Sequence, residues 1–107
     1  MNGVMLVEIK FKREKRVLTA YLTGELDHHC ASMVKVSIDT QMTAFPVDIL
    51  ILDMAGVTFM DSSGIGLIVG RYNRIKNLGG KMKIAHPNPT LSKILRMSGI
   101  EQLMKIG

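Results

Sequence analysis

A chain of 107 residues can bury one hydrophobic core but not two, so a single domain over residues 1–107 is expected. Its only cysteine, Cys30, excludes an internal disulfide and a Cys-rich zinc cluster, and no segment reaches the roughly 20 apolar residues of a membrane-crossing helix. The formal charge of +5 gathers in Lys10, Lys12, Arg13, Lys15 and Arg16 around one tight turn. Without interleaved aromatics to stack on bases, that cluster reads as a solvated hairpin tip rather than a nucleic-acid surface.

Met1–Glu8 lacks a basic start followed by an apolar stretch of signal-peptide length, since Glu8 and Lys10 interrupt it, and a cytoplasmic protein is expected. From Val4 to Phe11 the residues alternate loosely, with Val7, Ile9 and Phe11 on one face, and Val17–Thr23 alternates likewise, with Leu18, Ala20 and Leu22 opposite Val17, Tyr21 and Thr23. Two such runs around a short charged turn predict a β-hairpin, closed by Gly24. Asp27 is placed to cap a helix whose apolar face is Ala31, Val34, Ile38 and Met42, ending near Met42 and before Pro46. Ile49-Leu50-Ile51-Leu52, bounded by Asp48 and Asp53, suits a central strand covered on both faces. A loop to Asp61 should follow.

Asp61-Ser62-Ser63-Gly64 then opens a second helix with an inward stripe of Ile65, Ile68, Val69, Tyr72 and Ile75, stopped by Gly79-Gly80. Lys81–Ala85 predicts a strand with Met82 and Ile84 inward. Asn88 caps a third helix with Pro89 at its first position and Leu91, Ile94 and Leu95 docking it, up to Gly99. Gln102–Ile106 is a candidate edge strand. The class is therefore α/β: an open mixed β-sheet of four to five strands with helices packed on it, without repeats or linkers.

In such a sheet the strand-to-helix connections lie together at the strand C-termini, where ligands of open α/β sheets bind. Gly24–Asp27, Asp53–Ser62 and His86–Asn88 should share that edge, with Asp27 and Ser62 as neighbours. Phe59-Met60-Asp61-Ser62-Ser63-Gly64-Ile65-Gly66 presents two hydroxyls and close-spaced glycines at a helix start. Free N–H groups and the positive end of the helix dipole there favour an added phosphate. The same residues also serve a plain N-cap with glycines for tight packing, and the residues alone leave both readings open.

Other chemistries fit less well. Met60 stands where the G-x-S-x-G nucleophile elbow needs glycine, although Ser62, His86 and an Asp can be drawn as a triad. No phosphate-binding P-loop occurs. His28 and His29 should diverge from a helix, which makes them poor metal ligands and leaves them partner-facing or merely exposed. Neither metal nor cofactor is expected.

Leu22-Thr23-Gly24-Glu25-Leu26-Asp27-His28-His29, the Phe59–Gly66 stretch, Gly70-Arg71-Tyr72 and Met97-Ser98-Gly99 together resemble the STAS-domain family. Within it they are most similar to the anti-sigma F factor antagonists of endospore-forming bacteria. The resemblance spans nearly the whole chain and implies a regulator that is not itself an enzyme. Its unphosphorylated form would bind an anti-sigma factor that is also a serine kinase, holding ATP or ADP, and so release sigma F. Phosphorylation of Ser62 would end that binding, and a serine phosphatase would restore it. On this resemblance Asp27 holds the kinase, and His28, Asp61, Ser63, Gly64 and Gly66 form the contact surface around it. The alternatives are a STAS module of another circuit, such as a general-stress antagonist or a transport-associated subunit, and a small hydrolase. Family members usually carry a further C-terminal helix beyond the point matching Lys105-Ile106-Gly107, and the fold is expected to hold without it.

Overall fold

Each switch in apolar period along the chain produces a change of element in the computed structural model, which describes residues 7–107. Val4–Leu6 of the expected first strand, and most of the segment weighed as a signal peptide, lie outside the described residues. β1 (Glu8–Glu14) and β2 (Val17–Leu26) form the hairpin, with Lys15 in the left-handed region at the turn. Then follow α1 (Ala31–Ala44), β3 (Ile49–Met60), α2 (Ser62–Asn77), β4 (Lys81–Ala85) and α3 (Pro89–Met97). A 3-10 turn at Ile100–Gln102 leads into β5, which is only Lys105–Ile106.

The sheet is mixed, in the order β1-β2-β3-β4-β5, antiparallel between the first two strands and parallel thereafter. Register places Leu18, Leu50 and Met82 in one row, and Ala20, Leu52 and Ile84 in the next. All six are buried, in one core with Val34, Ile38 and Met42 of α1, Leu67, Ile68 and Ile75 of α2, and Leu91 and Leu95 of α3. The alternate rows, Val17-Ile49-Lys81 and Thr19-Ile51-Lys83, form the other face, and none of their residues is buried. β3 is therefore covered on one face, not on two as its continuous apolar run suggests.

Several boundaries move from their expected places. Gly24 does not end β2: the strand passes through it at φ 111 and continues to Leu26. β3 is twelve residues long, so most of the expected loop after Asp53 is strand. Two register shifts, between Tyr21 and Thr23 and between Gly24 and Glu25, absorb the irregularity and break the alternation that a sequence pattern relies on. α1 starts at Ala31 behind Cys30, while Asp27 closes the preceding turn, accepting from the His29 N–H at 2.9 Å through Oδ1. Asn88 caps α3 as expected, accepting from the Leu91 N–H at 2.8 Å.

The basic hairpin tip is only partly a solvated loop. Arg13 donates to the Gln41 carbonyl at 2.6 Å and lies over the Phe45 ring, which latches the hairpin to the end of α1. Arg16 makes a two-point pair with Asp48, at 2.7 and 2.9 Å.

The buried face of α2 is rotated from expectation. Gly64, Leu67, Ile68, Arg71 and Ile75 are buried, and Ile65, Val69 and Tyr72 are half-buried. Arg71 can lie inside because its Nε sits 3.0 Å from Oδ1 of Asp39 on α1, with Arg74 Nε 3.6 Å from the same oxygen. The contact is coulombic rather than a well-aligned hydrogen bond, since neither Arg71 Nε nor Asp39 Oδ1 has a hydrogen-bond partner. Removing one member of such a pair strands the other charge. Asp39→Ala strands the more deeply buried guanidinium, whereas Arg71→Met leaves a carboxylate that water can reach. Urea unfolding should therefore show Asp39→Ala as the more destabilising change, by about 3 kcal/mol or more.

Candidate functional site

The last paired rung of β2 and β3 is Leu26 opposite Met60, so the chain leaves both strands side by side. One residue later stand Asp27 and Asp61. The two loops are joined through Asp61, the N-cap of α2. Its Oδ1 accepts from the Ser63 N–H at 2.8 Å, and its Oδ2 accepts from the His28 N–H at 3.2 Å, with His28 Nδ1 3.4 Å away. One carboxylate thus starts the helix and fixes the neighbouring turn.

Ser62 is the first residue of α2 and is exposed, whereas Ser63 is half-buried. The helix start is less open to an anion than its sequence suggests. Ser63 N–H is taken by Asp61 Oδ1, and the Gly64 and Ile65 N–H groups point at the Asp61 carbonyl, at 3.0 and 3.4 Å. An added phosphate on Ser62 would meet the helix dipole with few free donors.

His28 and His29 do not diverge. They lie in the turn before α1 with ring centroids 4.0 Å apart, and both are exposed. Among the described residues no three His, Cys, Asp or Glu side chains converge as metal ligands would. The third expected loop starts back from the other two, although at its end Asn88 donates through Nδ2 to the Val57 carbonyl at 3.3 Å. β4 ends at Ala85 opposite Asp53, well short of Met60, and His86 Nδ1 pairs there with Asp53 Oδ2 at 2.9 Å. His86 is therefore committed to a carboxylate away from Ser62, and the triad drawn from sequence has no geometry.

The glycines of α2 divide into two kinds. Gly64 is buried, and a Cβ there would run into Met60 Cγ and lie 2.9 Å from the Leu26 carbonyl oxygen. It lets the helix start sit against the sheet end. Gly66 is exposed, with nothing near its missing Cβ. Of the residues expected at a contact surface, Asp27, His28, Asp61, Ser62, Ser63 and Gly66 share this edge within reach of solvent, and Gly64 lies beneath them. Sequence reasoning left out Phe59, which is 47% exposed beside the same loop, although its place in the strand-end motif marked it.

Partial desolvation disfavours the charged form of Asp61. The hydrogen bonds from Ser63, His28 and Gly64 together outweigh it and hold the carboxyl below its ordinary range.

A model of the STAS domain matches residues 8–107. The chain belongs to the STAS-domain family. It is 37% identical over 102 residues to the anti-sigma F factor antagonist of Paenibacillus polymyxa, covering 95% of this chain and 87% of that one. The solved structure of the anti-sigma factor antagonist SpoIIAA in its unphosphorylated form superposes with a TM-score of 0.81 at 30% identity, over 94% of this STAS domain and 88% of that chain. The phosphorylated form of the Bacillus cell-fate determinant SpoIIAA gives 0.73 at 29% identity, over 94% and 91%. The five-stranded mixed sheet with three helices is thus a STAS fold.

Two predictions follow from the geometry of α2. Gly64→Ala should lower the melting temperature because its Cβ meets a backbone carbonyl, whereas Gly66→Ala should raise stability by up to about 1 kcal/mol through helix propensity alone. Thermal melts of the two variants beside wild type should move in opposite directions. For Asp61, the stabilisation tied to its lowered pKa is complete above the ordinary carboxylate value and is lost as pH falls through the lower folded one. Asp61→Asn should thus be less stable than wild type at neutral pH, with the difference shrinking on acidification in a series of melts.

Proposed function

We propose that this STAS domain is an anti-sigma factor antagonist with Ser62 as its phosphorylated switch. The observation that carries the reading is an exposed serine at the first position of α2, on the surface where Asp61 ties the Ser62 loop to the Asp27–His29 turn. The likeness to anti-sigma F factor antagonists supports the circuit.

In this reading the unphosphorylated domain works in the cytoplasm and binds an anti-sigma factor that is also a serine kinase, with ATP or ADP bound, thereby freeing sigma F. Asp27 and His28 flank Ser62 as partner contacts, and Ser63 and Gly66 extend the surface along α2. The kinase transfers the γ-phosphoryl group to Ser62 Oγ, the complex parts, and a serine phosphatase resets the domain.

Charge accounts for the release. A phosphoserine adds about −1.5 to −2 charges at pH 7, beside the carboxylate of Asp61 and facing the nucleotide of the kinase. Two unit charges about 6 Å apart repel by roughly 3 kcal/mol at an effective dielectric of 20, near a hundredfold in affinity. The fold need not change, because the helix dipole offsets part of the repulsion within the domain.

Incubation with a cognate anti-sigma kinase and ATP should place phosphate on Ser62. Ser62→Ala should bind the kinase and stay bound, and Ser62→Asp should bind weakly. Phosphorylation should cost affinity with little change in melting temperature. Phosphate on Ser63, or unchanged affinity after modification of Ser62, would refute the assignment.

A further inference from the structure

β5 is too short to cover the edge of β4. It pairs with Lys83 and Ile84 alone, so on that side Lys81 and Met82 border an open groove of about 560 Å³. The apolar lining of the groove is Ile49, Tyr72, Met82, Leu103 and Met104, of which Leu103 is exposed. Four lysines surround it: Lys76 from α2, Lys81 and Lys83 from β4, and Lys105 from β5. No acidic residue lines the groove, and none of the four lysines joins a salt bridge among the described residues.

Lysines on an edge strand also guard against edge-to-edge pairing. That role does not account for their arrangement. Lys83 and Lys105 are register partners on one face of adjacent strands, and like charges directly opposite each other destabilise a sheet. Lys81 lies on the same face two residues away, and Lys76 stands over the Tyr72 ring, 5.6 Å from its centroid. Positive charge is thus gathered around an apolar opening at a cost that an anionic partner would offset.

We propose that this groove seats the domain on an anionic membrane surface, with the four lysines among lipid phosphates and Leu103 at the acyl boundary. All four cations are lysines. Recognition of particular carboxylates on a protein favours the rigid fork of arginine, whereas flexible lysine stems suit a fluid layer of phosphates over apolar chains. A second copy of the chain would oppose lysine to lysine, and a nucleic acid would find one aromatic ring, already covered by Lys76. No helix among the described residues is long and apolar enough to cross a membrane, so the contact is peripheral. Lys76 lies fourteen residues along α2 from Ser62, roughly 20 Å at the helical rise, which leaves the Ser62 edge clear of the lipid. The inference is independent of the reading of Ser62 as a switch.

Cosedimentation of the whole chain with vesicles tests it, using three parts phosphatidylcholine to one part phosphatidylglycerol beside phosphatidylcholine alone. At low salt the chain should sediment with the anionic vesicles only, and added salt should release it. The double variant Lys83→Gln, Lys105→Gln should bind about tenfold or more weakly. It should melt at or above wild type, because the opposed pair is gone, so its loss of binding cannot come from unfolding. Lys15→Gln, at the hairpin turn, should bind nearly as wild type does. No sedimentation with anionic vesicles overturns the proposal, as does full binding by the double variant. An equal loss in Lys15→Gln would assign binding to net charge rather than to the groove, and overturns it too. Two soluble probes separate the other occupants. If dihexanoyl phosphatidylglycerol or poly-glutamate binds, and the double variant abolishes that binding while vesicles never bind, the groove serves a free anionic ligand or an acidic protein and the membrane proposal fails.

Discussion

The parallel pairing of β2 with β3 is the constraint from which the rest of the domain follows. It runs from Val17 opposite Ile49 to Leu26 opposite Met60, beyond the point where β4 stops. A slip of one residue would turn Leu18, Ala20 and Leu22 away from the helices, so burial pins the register. The two irregularities near Tyr21–Thr23 and Gly24–Glu25 let strands of unequal length finish on the same rung. That shared finish brings Asp27 and Asp61 abreast, and a single carboxylate can then serve a turn on one side and a helix on the other.

The opposite end of the sheet is tied more firmly. Asp48 donates its N–H to the Arg16 carbonyl at 2.7 Å, accepts the Lys81 N–H on its own carbonyl at 2.8 Å, and pairs its carboxylate with the Arg16 guanidinium. One residue thus joins the starts of β2, β3 and β4. Along α1 and α2, Asp39 does comparable work between Arg71 and Arg74. The edge at Asp27 and Ser62 is tied by the side-chain hydrogen bonds of Asp27 and Asp61 near the surface, and the far edge by a residue bonded through backbone and side chain alike. Local opening free energies in a domain scale with such bonding and burial. The Ser62 edge is accordingly the more adaptable of the two.

The order and type of the elements were legible because the apolar residues keep their period through β1, β2, β4 and α1, and because β3 opens on a short, bounded apolar run. Legibility failed where the backbone departs from ideal geometry. Ala55, Gly56 and Thr58 read as loop, yet they continue β3 because its two extra residues are absorbed at shifts in its pairing with β2, a property of the pair rather than of either segment. Asp27 looked like a helix cap, and it caps a turn instead because three more residues are needed before the chain reaches the line of α1. The stripe on α2 was read one position too far round, since arginine and glycine at Arg71 and Gly64 carry no hydrophobic signal although both are buried. Their burial depends on Asp39 and on the Leu26 carbonyl, which are far off in sequence. The convergence of Asp27 with Ser62 was legible from topology alone, whereas the bond that joins their loops, Asp61 to His28, has no signature in sequence.

The order of strands in space is also their order along the chain. Each strand therefore docks on an edge left by the one before it, and none has to be inserted between two that are already paired. The hairpin of β1 and β2 is local and can form without any later residue, after which α1 and β3 add to its free edge. A sheet built in this way can grow from its N-terminal side in step with translation, and the entropy of closing each new loop is met by short connections. Ser62 belongs to the second strand–helix step of that sequence, so the hairpin, α1 and β3 against which it is set are synthesised before it.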